Sequence, residues 1–384
     1  MLTIIWIVFQ LSSSILYPNY EKLNLFKEEV VKYPYKNEFS SNLVEWYHQE
    51  KRDLPWRRTN DPYKIWVSEV MLQQTRVDTV IPYYNRFLEK YPNLNSLAYA
   101  GQDELLKMWE GLGYYSRVRN LQSGVREVVE KYDSQVPSNR HDLSKLKGIG
   151  PYTAGAILSI AFNKPEHAVD GNVMRVLSRV LLIKEDIALP KTKKIFEEAV
   201  TELIDQKDPG AFNQGLMDLG AQICTPTSPK CLLCPVREYC MAFQEGNPDE
   251  LPIKSKKTKT KRVKFDVFVA KDQDGKYLLE KRSDEGLLAS MWQFPMVERN
   301  DKDTVLNTSA TLEQDYIVKL VSEVEDPLLS FKHVFSHLVW EMDCYIVEVS
   351  NVDIQREKTG FYSLEEIMKL PMSVPMLKIL NILK

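Results

Sequence analysis

The 384-residue sequence has no excess of basic residues: 50 Lys and Arg stand against 53 Asp and Glu, a formal net charge of -3. A chain-wide electrostatic grip on a polyanion is thereby excluded, and any nucleic-acid binding must come from local patches. Cysteine is scarce as well, and five residues are too few for a disulfide scaffold of this size. There is no long-period repeat, and no low-complexity segment beyond one basic run. Past residue 20 no apolar run approaches the ~20 residues that cross a bilayer, so no membrane partner is expected. Apolar residues at 44% and charged residues at 27% fit a globular chain and exclude a collagen-like or wholly disordered one. At ~150 residues per domain the length predicts two or three domains.

Residues 1–20 contain no Lys, Arg, Asp or Glu, and Leu2 to Phe9 is strongly apolar. A positive leading region and a small-residue cleavage site are missing, which argues against a secretory signal. Ser12, Ser13 and Ser14 interrupt the run, which argues against a membrane anchor. Residues 1–30 therefore read as an extension or an upstream start site, with a membrane anchor in residues 1–20 as the alternative.

From Ser41 to Gln244 apolar residues recur at three and four, as in Leu43, Trp46, Tyr47 and Leu105, Trp109, Leu112, and prolines divide the stretch into many short helices. Residues 31–250 are expected to form an all-α domain. Lys254 to Lys264 carries seven positive charges and no acid, so 251–264 reads as a solvated linker, with phosphate contact as the alternative. The period then changes to two. Phe265, Val267 and Val269 alternate, and Tyr277-Leu278-Leu279 follows a turn at Asp274-Gly275. Further strands are expected at Leu338–Trp340 and Cys344–Val349, and helices at Leu312–Val324 and Leu364–Leu370. Residues 265–384 are thus predicted to be a separate α+β domain.

Two local signals stand out. Cys224, Cys231, Cys234 and Cys240 have the spacing C-x6-C-x2-C-x5-C. Four thiolates without histidine suit either one zinc ion or a four-iron cluster, and disulfides are the remaining reading. Cys344, in an apolar strand pattern, reads as a buried thiol. The second signal is Leu146-Lys-Gly-Ile-Gly-Pro-Tyr-Thr-Ala-Gly-Ala156. A helix ending near Lys147, positive φ at Gly148 and Gly150, and Pro151 opening a new helix would aim backbone N–H groups at a phosphate. An ordinary helix–helix connection has the same residues.

Together these pieces resemble the helix-hairpin-helix DNA glycosylases that carry an iron–sulfur cluster. Trp66-Val-Ser-Glu-Val-Met-Leu-Gln-Gln-Thr75, Trp109-Glu-Gly-Leu-Gly-Tyr-Tyr-Ser-Arg117 and Val169-Asp-Gly-Asn-Val-Met-Arg175, with the cysteine spacing, are similar to the MutY branch of adenine glycosylases. The resemblance runs from about Leu43 to the carboxy terminus. It implies a two-lobed helical catalytic domain with the substrate cleft between the lobes, a [4Fe-4S] cluster at the four cysteines rather than zinc, and a Nudix-like second domain. The implied activity is excision of adenine mispaired with 8-oxoguanine or guanine in double-stranded DNA, by a monomer in the bacterial cytoplasm. Lys147 departs from the family's usual proline, which loosens the hairpin but leaves both glycines in place.

Breaking an N-glycosidic bond leaves positive charge on the sugar and negative charge on the base, so an acid and a facing anion are needed. The base must also leave the duplex first. Glu69 is the candidate acid. In Ile65 to Leu72 only Ser68 and Glu69 are polar, and such surroundings hold a proton on a carboxyl. A solvated helix-face glutamate beside Gln73 is the competing reading. By resemblance this glutamate protonates adenine N7 and later activates water. Asp170 is the candidate anion, and also reads as a helix N-cap; a capped aspartate is expected to stay ionised. By resemblance it stabilises the oxocarbenium ion or forms a transient adduct. Tyr152 stands where the related endonuclease III branch has a lysine nucleophile, so strand cleavage is not expected. By resemblance its hydroxyl supports the carboxylates.

The resemblance also assigns a DNA interface. Tyr114 is the wedge in the base stack, in a loop with Leu112, although core packing would use a tyrosine equally well. Gln74 and Thr75 touch the opposite base, and Arg52, Trp56 and Arg57 line the adenine pocket, or else form a solvated loop. Gly286 to Pro295 matches the Nudix-like domain. The magnesium-binding glutamate box that hydrolysis needs is absent, since Arg356-Glu357 is followed by Lys-Thr-Gly. The domain is expected to bind rather than hydrolyse. Phe335-Ser336-His337 matches the loop that senses 8-oxoguanine, and an inter-strand turn is its plainer reading. Three rival functions remain: an endonuclease III-like glycosylase/lyase, a non-catalytic DNA-damage binder and a Nudix phosphohydrolase.

Overall fold

The computed structural model describes residues 33–255, 260–300, 302–321, 323–324, 326–350 and 358–384. The expected extension 1–30, residues 256–259 of the basic run and Arg356-Glu357 lie outside the described residues. The helices are α1 Lys36–Glu50, α2 Pro62–Leu72, α3 Val77–Lys90, α4 Leu94–Ala98, α5 Gln102–Met108, α6 Ser116–Lys131, α7 Arg140–Leu143, α8 Pro151–Phe162, α9 Gly171–Val180, α10 Pro190–Leu203, α11 Pro209–Gln222, α12 Met241–Gln244, α13 Val305–Tyr316, α14 Leu364–Ile367 and α15 Val374–Leu380. None of the described helices is long and apolar enough to cross a membrane.

The chain divides into two compact units. One takes the described residues up to Val70 and from Glu127 to the basic segment; the other takes Met71–Arg126 and the described residues after the basic segment. In the first unit α11 packs against α1, α8 and α9. Phe39 and Leu43 of α1 meet Val173, Val176 and Leu177 of α9 and Phe212 and Leu216 of α11 in one buried cluster. Local chemistry starts these helices. Asp170 and Asp208 accept the Val173 and Ala211 backbone N–H groups at 2.8 and 3.0 Å, and Pro151 and Pro209 occupy first helical positions. Gly155 is required for packing, because a Cβ there would lie 1.7 Å from the His167 carbonyl oxygen.

The second unit holds α3 to α5, most of α6, and a mixed sheet. Its strands are β1 Lys261–Lys271, β2 Tyr277–Lys281, β3 Trp292–Gln293, β4 Met296–Arg299, β5 Lys319–Leu320, β6 Leu329–Val334, β7 Leu338–Ser350 and β8 Thr359–Tyr362. β1 and β7 run parallel, from Lys261 opposite Leu338 to Lys271 opposite Glu348, while β6 returns antiparallel to β7. The period of two sorts the faces as expected. Val267 and Val269 pack with Trp340, Met342 and Cys344 against Met376 and Ile379 of α15. Phe268 and Ala270 pack with Tyr345 and Val347 against Leu312 and Tyr316 of α13. The helical segment joins the sheet residues through polar contacts: Lys281 Nζ lies 2.5 Å from Asp103 Oδ1, and Met372 N donates to Glu110 Oε1 at 3.0 Å.

Several expectations are corrected. The helix before the hairpin ends at Leu143 rather than near Lys147; the chain reaches Gly148 through tight turns, with Leu146 N on Leu143 O and Ile149 N on Leu146 O. The expected linker 251–264 is shorter. Leu251 O accepts from Arg179, Ile253 O accepts from Ile187 N, and Lys261 already pairs in β1. The helix expected at Leu312–Val324 is Val305–Tyr316, because Ile317 turns left-handed at φ 55 and Lys319–Leu320 joins the sheet. The helix expected at Leu364–Leu370 covers only Leu364–Ile367. Leu338–Trp340 and Cys344–Val349 are parts of one continuous strand.

Candidate active site

Glu69 sits on α2, a helix buried on nearly every side: Ile65, Trp66, Val67, Ser68, Val70 and Met71 are all inaccessible. Glu69 itself is 6% exposed, so the solvated helix-face reading fails. The Tyr152 hydroxyl, one residue into α8, donates to Glu69 Oε2 at 2.7 Å. Burial pushes the Glu69 carboxyl up to about 7, opposed by the Tyr152 hydrogen bond and reinforced by the negative charge of Asp170. Burial raises the Tyr152 phenol well above its usual value, so it stays a donor.

Asp170 caps α9. Its carboxylate accepts from Val173 N at 2.8 Å and from Asn172 Nδ2 at 3.1 Å. Burial pushes the carboxyl above its ordinary value, and the hydrogen bonds from Val173 and Asn172 pull the other way. Asn172 Oδ1 in turn accepts from Arg175 Nη2 at 2.9 Å, and Arg175 also binds the Gly220 and Cys224 carbonyls. The candidate anion is therefore joined by hydrogen bonds to the cysteine segment. Arg175 was legible as the last residue of the Val169 to Arg175 motif, but not as a bridge to the cysteine segment.

Arg52 and Arg57 converge on Asp218, which is 1% exposed; the distances are 2.5 and 2.7 Å. Arg57 lies over the Tyr47 ring at 5.3 Å, and Trp56 is buried in a short turn over Pro55–Arg57. The positive charge of Arg57 favours the ionised form of Glu69, against the larger effect of burial. These residues are held in place rather than forming a solvated loop. Asp218 was missed in the sequence, although a lone carboxylate inside the apolar run of α11 is a signal that finds such residues.

Cys224, Cys231, Cys234 and Cys240 line one pocket with Val176, Leu219 and Val236, and none is in a disulfide. Burial raises the Cys234 thiol to about 12 and the Cys240 thiol to about 11, so four thiolates need a compensating positive centre. Arg179 supplies part of it, with Nη1 at 3.2 Å from Cys224 Sγ. Among the described residues no group of three or more possible ligands closes around a single ion. Four thiols lining one pocket can hold either a tetrahedral zinc or a four-iron cluster. Cys344 is buried, and burial takes its thiol up to about 12.

The hairpin turn has Gly148 at φ 81 and Gly150 in extended conformation at φ -91 as the N-cap of α8, so only the first glycine uses positive φ. Leu146 and Ile149 are buried, and both glycines face outward. In the second unit Gln74 and Tyr114 adopt left-handed backbone, at φ 58 and 45. Tyr114 is 47% exposed, so core packing is excluded for it, whereas Leu112 is buried. The Tyr114 hydroxyl lies 2.5 Å from Ser336 Oγ. Phe335, Ser336 and His337 form the turn between β6 and β7, and the Phe335 ring stands edge-on to His333 and Trp340 at 4.6 and 4.9 Å. Arg117, not singled out from sequence, holds the Thr75 and Leu112 loops through Thr75 Oγ1 and Leu112 O.

Residues 67–206 match the HhH-GPD superfamily base excision DNA repair protein family, residues 224–240 the iron-sulfur binding domain of endonuclease III, and residues 266–381 the NUDIX domain. A solved thermostable thymine-DNA glycosylase superposes on 55% of this chain and 97% of its own, with a TM-score of 0.50 and 31% identity. Fold and site define a helix-hairpin-helix base-excision glycosylase with an iron–sulfur segment and a Nudix-like domain. The curated adenine DNA glycosylase of Buchnera aphidicola (from Schizaphis graminum) is 35% identical over 90% of this chain and 99% of its own. That of Mus musculus is 35% identical, covering 89% and 77%. The chain belongs to the adenine DNA glycosylase family: it is a DNA-binding N-glycosylase of base excision repair, and its four clustered cysteines are the ligands of a [4Fe-4S] cluster.

Proposed function

We propose that the enzyme excises adenine paired with 8-oxoguanine or guanine and leaves the strand uncut. Glu69, protonated near neutrality, gives its proton to N7 of the extruded adenine as the glycosidic bond breaks. The Asp170 carboxylate faces the sugar cation, and the Glu69 carboxylate left behind takes a proton from the attacking water. Tyr152 fixes the Glu69 rotamer by its 2.7 Å hydrogen bond and, lacking an amine, forms no Schiff base. The one observation that carries this reading is a fully buried carboxyl lifted to about 7 beside a second carboxylate.

Arg52, Trp56 and Arg57 enclose the adenine, Gln74 and Thr75 meet the opposite base, and Tyr114 fills the gap in the stack beside the buried Leu112. Gly148 and Gly150 present backbone N–H groups to a phosphate. Phe335, Ser336 and His337 read the 8-oxoguanine, and the Nudix-like domain binds without hydrolysing. The protein works as a monomer on DNA in a bacterial cytoplasm. A bound cluster would tie residues 224–240 into one folded segment. The test is Glu69→Gln in single-turnover adenine release. A loss of about 100-fold or more is expected for removal of a general acid, and full retention of release would sink the assignment.

A further inference from the structure

Gln74 and Tyr114 stand in left-handed backbone at φ 58 and 45, and Gly111 and Gly113 beside Tyr114 have φ 98 and 69. Non-glycine residues hold such conformations only where the surroundings impose them. One side chain touches both loops. Arg117, in the first turn of α6, donates from Nη1 to Met71 O at 3.1 Å and Gln73 O at 2.6 Å. From Nη2 it donates to Thr75 Oγ1 at 3.3 Å, Leu112 O at 3.0 Å and Gly113 O at 3.2 Å. Its guanidinium is buried, with the Trp109 ring at 5.4 Å and the Tyr114 ring at 5.6 Å. Five acceptors, one from the end of α2 and four from two loops some 40 residues apart in the chain, thus close on one planar group. A lysine, with three donors on one nitrogen, cannot span them.

We propose that Arg117 is a positioning residue for lesion recognition: it sets the spacing between the Gln74-Thr75 loop and the Tyr114 loop, and thereby how far the enzyme separates 8-oxoguanine:adenine from guanine:adenine. The inference rests on the assignment of these loops to DNA made above. Burial lowers the Arg117 guanidinium to about 10, which leaves it charged throughout the working range. The clamp therefore acts by geometry and not by titration.

The test uses the full-length, cluster-loaded protein with Arg117→Lys and Arg117→Gln. Dissociation constants are measured for duplexes carrying each mispair, with the saturated single-turnover rate, its pH profile and the melting temperature. Affinity for the 8-oxoguanine duplex is expected to fall about tenfold, the effect of losing one or two net hydrogen bonds. The preference between mispairs shrinks with it. The half-point of the pH profile stays, because Glu69 is outside the clamp. A folded variant with wild-type preference overturns the proposal. Loss of folding in both variants also overturns it, by making Arg117 a core residue only. Absence of any preference in the wild type would instead overturn the underlying function, and is seen before any variant is made.

Discussion

At the scale of single residues the site depends on two carboxyls placed in different surroundings. Glu69 accepts a hydrogen bond from Tyr152 in a buried helix, and its carboxyl is lifted to about 7. The rate of adenine release should therefore fall as pH rises through about 7, as the acid loses its proton. Tyr152→Phe removes a hydrogen bond that favours the carboxylate, so the half-point of that profile should move to higher pH; a downward move would contradict the role given to the hydroxyl. Glu69 also makes stability depend on pH. Between the usual 4.5 and about 7 the folded protein binds a proton that the unfolded chain does not. Its contribution thus weakens as pH rises through that window, and denaturant titrations of wild type against Glu69→Gln should show it. Glu69 was readable as a polar residue in an apolar run. Asp218 was not, because its meaning comes from Arg52 and Arg57, more than 160 positions away in sequence.

At the scale of elements Asp170 joins a helix start to the chemistry. Asparagine caps about as well as aspartate, so Asp170→Asn should keep the melting temperature while single-turnover release collapses. Asp170→Ala should lose both, at a stability cost of ~1 kcal/mol. A collapse of stability in Asp170→Asn would mean that the carboxylate is only a cap. The cysteine segment behaves as an element of its own. Cys234→Ser should lose iron and the visible absorbance, and should melt earlier, because Cys224, Cys234 and Cys240 pack against the core of the first unit. Spacing made this segment legible, since four cysteines within 17 residues have few other uses. Element ends were harder to read. Ile317, Leu320 and Val321 continue a helical spacing, yet the left-handed Ile317 ends α13 and the chain pairs as a strand. The run before Gly148 likewise looks helical, but ends as successive tight turns over buried Leu146 and Ile149.

At the scale of the whole molecule, composition and the change of period from 3.6 to 2 separated a helical part from an α+β part. Compactness groups Met71–Arg126 with the carboxy-terminal residues instead. Pairs such as Lys281 with Asp103, 178 positions apart, make that grouping, and no local pattern announces them. The central claim is that this chain removes adenine by hydrolysis without cutting DNA. Its most direct test is single-turnover reaction of a duplex carrying 8-oxoguanine opposite adenine, assayed with and without alkali. Breaks at the adenine position that appear only after alkali are the predicted result. Breaks without alkali, or no release from protein with an intact iron–sulfur absorbance, would contradict it.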